Sequence, residues 1–317
     1  MNILVCDDSI VARKSIIRSI EPKPHIKIYE ADDGVQAISL LKSIKIDALF
    51  LDLTMPIMDG FEVLNTLPVN SHPTTIVVYS ADVQQQARTR CLDQGAHYFI
   101  SKPFEQAELL PIYNQLSIPY ASDEQNKHSK FTPQQKLNET VNIALGKGAA
   151  IMANHLNHFI ELPIPHVGYL TYAEVTMAMA DVLNQPHATA VTQRFVGGGI
   201  HGEALVCLRG EDVLNIGIKL GYHSPLTDEN EVFQNLANLF VSSFLLSFGE
   251  LIDRPFSLRQ PALLSRSASH FNQLKPNQPL FAIEYTCFSE DMDFECEVLF
   301  MVDQPSVAII FDIMENV

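Results

Sequence analysis

The sequence predicts an α/β protein of two domains, a doubly wound parallel sheet followed by a second α/β domain with an antiparallel sheet. Over residues 1–117, short apolar runs alternate with helical patterns, which is typical of a parallel sheet covered by helices. After a polar stretch, long helical patterns mix with runs that alternate apolar and polar residues, as half-buried antiparallel strands do. The length of 317 residues is enough for two hydrophobic cores.

Five strands are expected in the first domain, each a short run rich in β-branched and aromatic residues, which favour strands. In chain order they are NILVC, IKIYEA, DALFLDL, TTIVVYS and HYFISK. Helical patterns separate the runs, as parallel pairing requires, because a parallel neighbour is reached only through a long crossover.

A polar linker is expected over residues 118–131, which have no hydrophobic period and are flanked by prolines. The second domain is then predicted over residues 132–317. Its first helix has a complete start signal, because Thr132, Pro133 and Gln135 supply an N-cap, a first-turn proline and a capping-box partner.

Sliding the second domain along itself reveals an internal repeat with an offset of 96 positions. NETVNIALG aligns with QNLANLFVS, so that Asn142 matches Asn238, and Pro165 matches Pro261. We therefore predict two units of one fold, related by a pseudo-twofold axis. The units cover about residues 132–226 and 227–317.

Three later segments, LFAIEYTCF, FECEVLFMV and SVAIIFDI, alternate like strands of an antiparallel sheet on which the helices pack. The glycine-rich FVGGGIHG lacks the Lys-Ser/Thr ending of a phosphate-binding loop, so we predict a turn between strands there. No nucleotide site is expected.

Composition excludes several classes of function. The chain has 21 basic and 37 acidic residues and a net charge of −16, whereas nucleic-acid binding needs clustered lysine and arginine. The five cysteines lack the spacing of a disulfide framework or a zinc ribbon. Acids stand where a signal peptide needs apolar residues, and no long apolar run predicts a membrane span. We expect a cytoplasmic protein that neither binds nucleic acid nor inserts into a membrane.

Five polar residues are predicted to meet at one edge of the first sheet, because the carboxyl ends of parallel strands lie together there. Asp7 and Asp8 follow the first strand, Asp52 ends the third, Ser80 the fourth and Lys102 the fifth. Three carboxylates so close repel one another unless a cation is bound. Carboxylate oxygens favour a hard ion, so we expect Mg²⁺.

These groups suit phosphoryl transfer. Asp52 can attack phosphorus to form an acyl phosphate, while Mg²⁺ and Lys102 neutralise charge on the transferred oxygens. Ser80 can donate a hydrogen bond to the new phosphoryl group. Each acid taken singly is better explained as a loop residue at a strand end, but the combination favours a site.

The motifs VCDDS, LDLTMPIMDG, YSA and SKPF follow one another in residues 1–117, which resemble the receiver domain of two-component response regulators, with CheY as the simplest example. The resemblance implies a flavodoxin-like fold and phosphorylation of Asp52 by a histidine kinase. It also implies that Asp8, Asp52 and the backbone carbonyl of Thr54 hold Mg²⁺, with Asp7 acting through water.

The same resemblance implies a switch in which Ser80 and Phe99 shift together on phosphorylation. Ser80 stands where the family more often has threonine, and Phe99 where it often has tyrosine. Both replacements are conservative, so the assignment to the family is unaffected.

Residues 136–153, KLNETVNIALGKGAAIMA, have helical periodicity and one polar pair on a face of small residues. Glu139 and Asn142 are neighbours on this face at i, i+3 spacing. We expect the face to be flat and open to close approach by another protein. A second explanation stays open, in which the polar pair is solvated and the small residues pack against another helix. The small residues are Gly146, Ala149, Ala150 and Ala153.

The polar pair and the proline that follows it resemble the CheC, CheX and FliY family of chemotaxis phosphatases. The family signature is an acidic residue, two spacers, an asparagine and later a proline, which ETVN and Pro165 fit. The resemblance covers about residues 131–317. It implies that Asn142 holds a water in line with an aspartyl phosphate, and that Glu139 pairs with the active-site lysine of the receiver being dephosphorylated.

Two positions depart from the family pattern. Gln135 stands where the family usually has Asp or Ser. In the second copy Asn235 replaces the glutamate, and a neutral amide cannot form the same ion pair. We therefore expect Asn235 and Asn238 to form a degenerate second site, and Glu139 and Asn142 to form the principal one.

The leading hypothesis is a two-component or chemotaxis response regulator whose CheC-like domain removes phosphate from receivers, under control of Asp52 phosphorylation. The expected partners are a histidine kinase and a phosphorylated CheY-type receiver, and a homodimer is left open. Two alternatives remain. One is a non-catalytic adaptor that binds receivers or chemotaxis proteins, and the other is a phosphatase that acts on the chain's own Asp52.

Overall fold

The computed structural model divides into two compact units, Met1–Gly146 and Lys147–Val317. The division falls inside a helix rather than at residue 117 or 132, and most of the predicted linker lies outside the described residues. The predicted domain boundaries stay a prediction, because a compact unit in space can include part of the next domain. The described residues are 1–67, 73–121, 131–171, 173–175, 177, 188–221, 228–264, 280–289 and 292–316.

The first unit contains the predicted five-stranded parallel sheet, with the strand order β2-β1-β3-β4-β5. Each strand lies within one of the predicted apolar runs, and the register pairs Cys6 with Leu51 and Ser80 with Ser101. Neighbouring strands therefore end together at one edge. The strands are β1 Asn2–Cys6, β2 Lys27–Ala31, β3 Ala48–Leu51, β4 Thr75–Ser80 and β5 Tyr98–Ser101.

Five helices alternate with these strands, and three of them start at a side-chain cap. Ser9, Asp33 and Asp59 each accept a hydrogen bond from a backbone amide in the first turn, which fixes where the helix begins. One core between sheet and helices includes Phe50 and Tyr113, whose rings meet edge to face at 6.0 Å. The helices are α1 Ile10–Ser19, α2 Gly34–Ser43, α3 Gly60–Thr66, α4 Gln85–Asp93 and α5 Gln106–Leu116.

A sixth helix, α6, covers Pro133–Leu156 and begins as the sequence predicts. The Gln135 amide donates to Thr132 Oγ1 at 3.2 Å, and the Thr132 amide donates to Gln135 Oε1 at 3.0 Å. This reciprocal pair is a capping box. Gln135, which departs from the phosphatase family pattern, thus has a structural task at the start of the helix.

The second unit is built on an antiparallel sheet with the strand order β10-β7-β8-β12-β11-β6, and β9 also pairs with β7. The antiparallel sheet is as predicted. Its strands are β6 His166–Leu170, β7 Thr189–Gly197, β8 Ile200–Arg209, β9 Ser257–Leu258, β10 Ala262–Leu263, β11 Leu280–Phe288 and β12 Glu295–Val302.

Three described helices belong to this unit as well: α7 Val213–Lys219, α8 Glu229–Leu251 and α9 Gln304–Asn316. The order of the main strands is symmetric. When the sheet is read from the β6 end, and β6 is exchanged with β10, β7 with β11 and β8 with β12, the same order results.

The prediction of a strand at SVAIIFDI was wrong, because this segment lies in α9. Its buried residues Ser306, Val307, Ile310 and Met314 are spaced as one face of a helix is. Asp303 also starts the helix, since its Oδ1 accepts a hydrogen bond from the Ser306 amide at 2.9 Å. A short apolar run fits either period, and here the cap decides.

FVGGGIHG is the predicted turn between strands. β7 ends at Gly197 and β8 begins at Ile200, so that Gly198 and Gly199 form the turn. Their φ angles of +56° and +86° suit glycine, which adopts positive φ without steric cost.

One helix among the described residues, α8, is long and apolar enough to cross a membrane, which the sequence analysis did not expect. However, 67% of its most apolar window is buried inside the protein. Val232, Leu236 and Phe240 are fully buried on one face, so the helix has the character of a core helix.

Candidate functional site

Three carboxylates meet at the carboxyl edge of the parallel sheet. Asp7 and Asp8 follow β1 and Asp52 follows β3, and their ligand atoms lie within 4.8 Å of one another. The structure thus brings together the three acids selected from the sequence. Asp7 and Asp52 are almost fully buried, with 2% and 1% of their surfaces exposed.

Lys102 completes this cluster. It follows β5, and its Nζ lies 2.7 Å from Asp7 Oδ2 and 3.1 Å from Asp52 Oδ2. Its own backbone amide donates to the Ser80 carbonyl at 2.9 Å, which extends the pairing of β5 with β4. One cation therefore bridges acids from two different strands.

Backbone contacts fix the position of Asp52. Its amide donates to the Cys6 carbonyl at 2.9 Å, and its Oδ1 accepts from the Leu53 amide at 2.8 Å. Helix α3 also begins close by, since a Cβ on Gly60 would lie 2.2 Å from the Asp52 carbonyl oxygen. Glycine is required there for a steric reason, and Asp59 caps the same helix.

Burial and mutual repulsion dominate the electrostatics of the cluster. Burial raises the pKa of Asp7 well above its usual value, which Lys102 partly offsets and Asp52 reinforces. The pKa of Asp8 is raised to about 6, again mainly by burial and then by the charge of Asp52. Burial would lower the pKa of Lys102, but the charges of Asp52 and Asp7 raise it well above its usual value.

The residues present fit a divalent cation. Asp8 Oδ1 is buried and has no hydrogen-bond partner among the described residues, and hard cations such as Mg²⁺ bind clustered carboxylate oxygens. Asp8 and Asp52 would hold such an ion, with Asp7 beside them. Thr54 lies in the loop after β3, two residues beyond Asp52 in the chain, and the role of its carbonyl stays a prediction.

Ser80 and a further acid, Asp82, lie beside the cluster. Ser80 is fully buried, and its Oγ accepts from the Asp82 amide at 3.2 Å. Asp82 is itself buried, accepts from the Gln84 amide at 3.0 Å, and has a pKa raised to about 6, mainly by burial. Sequence reasoning missed Asp82, although it directly follows the YSA motif.

Phe99, the predicted switch residue, lies in β5 and is half-buried. The guanidinium carbon of Arg88 lies over its ring, 5.9 Å from the centroid. The structure therefore places the ring near α4, and its movement on phosphorylation stays a prediction.

Comparison with known proteins agrees with this geometry. The family model described as response regulator receiver domain matches residues 3–114. Protein CcdB of Bacillus subtilis (strain 168) is 33% identical over 108 residues, which are 34% of this chain and 90% of that protein. The chain belongs to the response regulator receiver family. Its membership rests on the first unit, where the parallel sheet and the acidic cluster lie.

Other relatives match the same receiver domain. Response regulator MprA of Mycobacterium avium (strain 104) is 38% identical over 110 residues, and the chain spans about half of its length, 48%. The response regulator domain of Thermotoga maritima CheB is 26% identical, with coverage of 38% of this chain and 98% of that one and a TM-score of 0.33.

Glu139 of α6 lies beside the acidic cluster of this receiver, within the same compact unit. Only 7% of its surface is exposed, and its buried Oε2 has no hydrogen-bond partner among the described residues. Burial comes first among the causes that raise the pKa values of Asp7 and Asp8, and the charge of Glu139 is a further cause. For Lys102, whose pKa burial would lower, the charge of Glu139 adds to the raising effect of Asp52 and Asp7.

Gly146, two turns further along α6, touches the receiver backbone. A Cβ at this position would lie 2.0 Å from the Ala81 carbonyl oxygen and 2.9 Å from the Asp82 amide nitrogen. The expectation of an open face was therefore wrong for this part of the helix. The loop between β4 and α4 of the same chain covers Gly146, and the missing side chain is what permits the contact.

Asn142 lies on α6 between these two contacts and is half-buried. In the second copy, Asn238 is exposed, and its Oδ1 accepts from Gln193 Nε2 at 2.7 Å. Gln193 Nε2 also donates to the Arg259 carbonyl at 2.9 Å. Asn238 therefore spends its amide oxygen on a contact inside the second unit, and Asn235 beside it is half-buried.

Proposed function

We propose that this response regulator accepts a phosphoryl group on Asp52 and that Glu139 and Asn142 of α6 hydrolyse aspartyl phosphate on receiver domains. One observation supports the second part most strongly. The buried Glu139 carboxylate, with one oxygen free of hydrogen bonds among the described residues, lies where its charge acts on Lys102. A glutamate that is to pair with a receiver lysine has to lie within reach of that lysine's charge.

The receiver part of the proposal follows from the groups around Asp52. The Asp52 carboxylate attacks phosphorus of a phosphohistidine in a partner kinase, the bond from phosphorus to the imidazole nitrogen breaks, and an acyl phosphate results. Bound Mg²⁺ would neutralise charge on the phosphoryl oxygens. Lys102 does the same from the other side, and Ser80 donates a hydrogen bond once its hydroxyl turns from the loop.

The hydrolytic part requires an ordered water. The Asn142 amide can accept from the water and donate to a phosphoryl oxygen, so it holds the water in line with the bond to be broken. The water oxygen bonds to phosphorus and the bond from phosphorus to Asp52 breaks. The Asp52 carboxylate is regenerated and inorganic phosphate leaves with the water's protons, in part released to solvent. Positioning accounts for most of the rate in such reactions.

The architecture of residues 132–317 supports a CheC-like domain with an internal repeat. The strand order is the same from either end once equivalent strands are exchanged. Helices α6 and α8 start at Pro133 and Glu229, 96 positions apart, which is the offset of the sequence repeat. Only the first copy has an acidic residue, since Asn235 occupies that place in the second. We therefore assign one principal site, Glu139 and Asn142, in a cytoplasmic, Mg²⁺-dependent protein of a chemotaxis-type pathway.

Phosphate release tests this function. Full-length protein is labelled with acetyl [³²P]phosphate and Mg²⁺, the donor is removed, and free phosphate is followed. We expect wild type to release phosphate about tenfold or more faster than Asn142→Ala. Asn138→Ala, an exposed change on the same helix, is the matched control and should behave as wild type. The same three proteins are also added to a separately labelled CheY-type receiver. Equal rates in all three proteins, for their own label and for that of the added receiver, would leave a binding adaptor without phosphatase activity.

A further inference from the structure

We propose that the aspartyl phosphate hydrolysed by Glu139 and Asn142 is the chain's own, on Asp52. The first half of α6 is then a phosphatase element docked on the receiver of the same chain. This inference rests on the proposed function and names its substrate.

The first support is the environment of Glu139. It is more than nine-tenths buried, and its free Oε2 lies inside the unit that contains the receiver. A buried carboxylate without a hydrogen bond is costly unless a charged partner is near, and Lys102 is the cation on which its charge acts. The receiver of this chain thus already occupies the place that a separate substrate receiver would need.

The second support is the backbone contact at Gly146. A glycine within a helix costs up to about 1 kcal/mol relative to alanine, yet alanine would collide with the Ala81 carbonyl. Ala81 directly follows Ser80, which ends β4 beside the acidic cluster and would donate to the phosphoryl group in the proposed function. The helix is therefore shaped to approach the loop next to its own phosphorylation site.

Helix geometry places Asn142 between these contacts. Glu139, Asn142 and Gly146 lie within about 60° of one another around the helix axis, and the first and last are about 10 Å apart along it. The charge of Glu139, at one end of this stripe, acts on Lys102, which bridges Asp7 and Asp52. The other end touches Ala81. Asn142 accordingly faces the part of the receiver that contains Asp52.

Covalent connection favours the internal substrate over an external one. Only residues 122–130 separate the described end of the receiver, Ala121, from Phe131 at the start of α6. A short connection gives an effective concentration on the order of millimolar. An external receiver at cellular concentration competes poorly with a substrate held in this way, and the docked receiver covers the same helix face.

Two full-length proteins separate hydrolysis within one chain from hydrolysis between chains. The phosphorylated reporter has Asn142→Ala, so its own helix is disabled, and the helper has Asp52→Asn with an intact α6. We expect excess helper to leave the decay of the labelled reporter unchanged, while wild type alone loses label at a rate independent of its concentration. Acceleration by the helper, in proportion to its concentration, would overturn the inference and leave the proposed phosphatase function standing.

Gly146→Ala tests the docking contact without removing a polar group. It should lengthen the half-life of phosphorylated Asp52 about tenfold, as Asn142→Ala does, while circular dichroism shows α6 intact. Glu139→Gln, which keeps the shape and removes the charge, should also slow the decay. Wild-type decay in both variants would contradict docking on the chain's own receiver. If wild type and Asn142→Ala decayed alike, the chain's own Asp52 would not be the substrate and this inference would fail, whatever rate was measured with an added receiver.

Discussion

Lys102 holds a positive charge in a place closed to water, with 1% of its surface exposed. Removing a charge from water costs several kcal/mol, which only close opposite charges offset. Asp7 and Asp52 supply them at 2.7 and 3.1 Å. The acids depend on Lys102 in the same way, because few other groups compensate their buried negative charges. Lys102 therefore stabilises the cluster of buried carboxylates itself.

Lys102→Met should be strongly destabilising. Two buried carboxylates lose their counter-charge, so we expect the free energy of unfolding to fall by about 3–5 kcal/mol, as measured by urea denaturation with a chelator present. Lys14→Met is the control, because its ion pair with Glu30 is about one-third exposed on both sides and should contribute less than about 1 kcal/mol. Similar losses in both variants would contradict the account of the buried ion pairs.

Asp82 makes stability depend on pH. Its pKa is raised to about 6 in the folded protein, mainly by burial, so the folded state binds a proton more tightly than the unfolded state does. Its contribution to stability is then full below pH 4 and is lost as pH rises through about 6. Asp82→Asn keeps an acceptor for the Gln84 amide but cannot ionise. We therefore expect wild type to lose more of its free energy of unfolding between pH 4 and pH 7 than this variant does. The change is at most about 3 kcal/mol. A pH profile parallel to that of wild type would contradict this assignment.

The residues of the acidic cluster could be predicted because they occupy the ends of recognisable strands. Asp7, Asp52 and Lys102 each follow an apolar run, and parallel topology then forces them together. Asp82 could not be found in this way, since its burial depends on how the loop after β4 folds back. The burial of Glu139 depends on the tertiary packing of α6, which the local spacing of residues does not predict.

At the level of elements, prediction succeeded where the hydrophobic pattern and the end signals agreed. The five parallel strands and the start of α6 are such cases, with Thr132 and Gln135 forming the expected capping box. SVAIIFDI failed because its apolar run is short and compatible with both periods. The cap that decides the matter, Asp303, lies outside the segment.

Loss of this cap should weaken α9. In Asp303→Ala the Ser306 amide loses its acceptor at 2.9 Å, and we expect the free energy of unfolding to fall by about 1 kcal/mol. The effect should reach β8, because Ser306 Oγ accepts from the His201 amide at 2.7 Å. Asp312→Ala, an exposed change further along the helix, is the control. Thermal denaturation curves that coincide for both variants would show that the cap does not stabilise α9.

For the whole molecule, the sequence predicts the class of both sheets but not the division of the structure. Composition and pattern locate a polar linker before residue 132, whereas the compact units divide at Gly146. The reason is that a linker is recognised from its own residues, while a compact unit depends on contacts between distant ones. The sequence marks Gly146 as one of several small residues on α6, but only the structure shows the Ala81 carbonyl that excludes a side chain there.

The position of this division predicts how a fragment of the protein would behave. A cut in the linker leaves Asp52 on one piece and Glu139 and Asn142 on the other. On the proposal above, Asp52 of the receiver piece would stay phosphorylated for longer than Asp52 of the intact chain does. The residue that carries the phosphoryl group and the residues proposed to remove it would then be on separate molecules. The lifetime of the phosphorylated state would then depend on the helix α6, which contributes residues to both compact units.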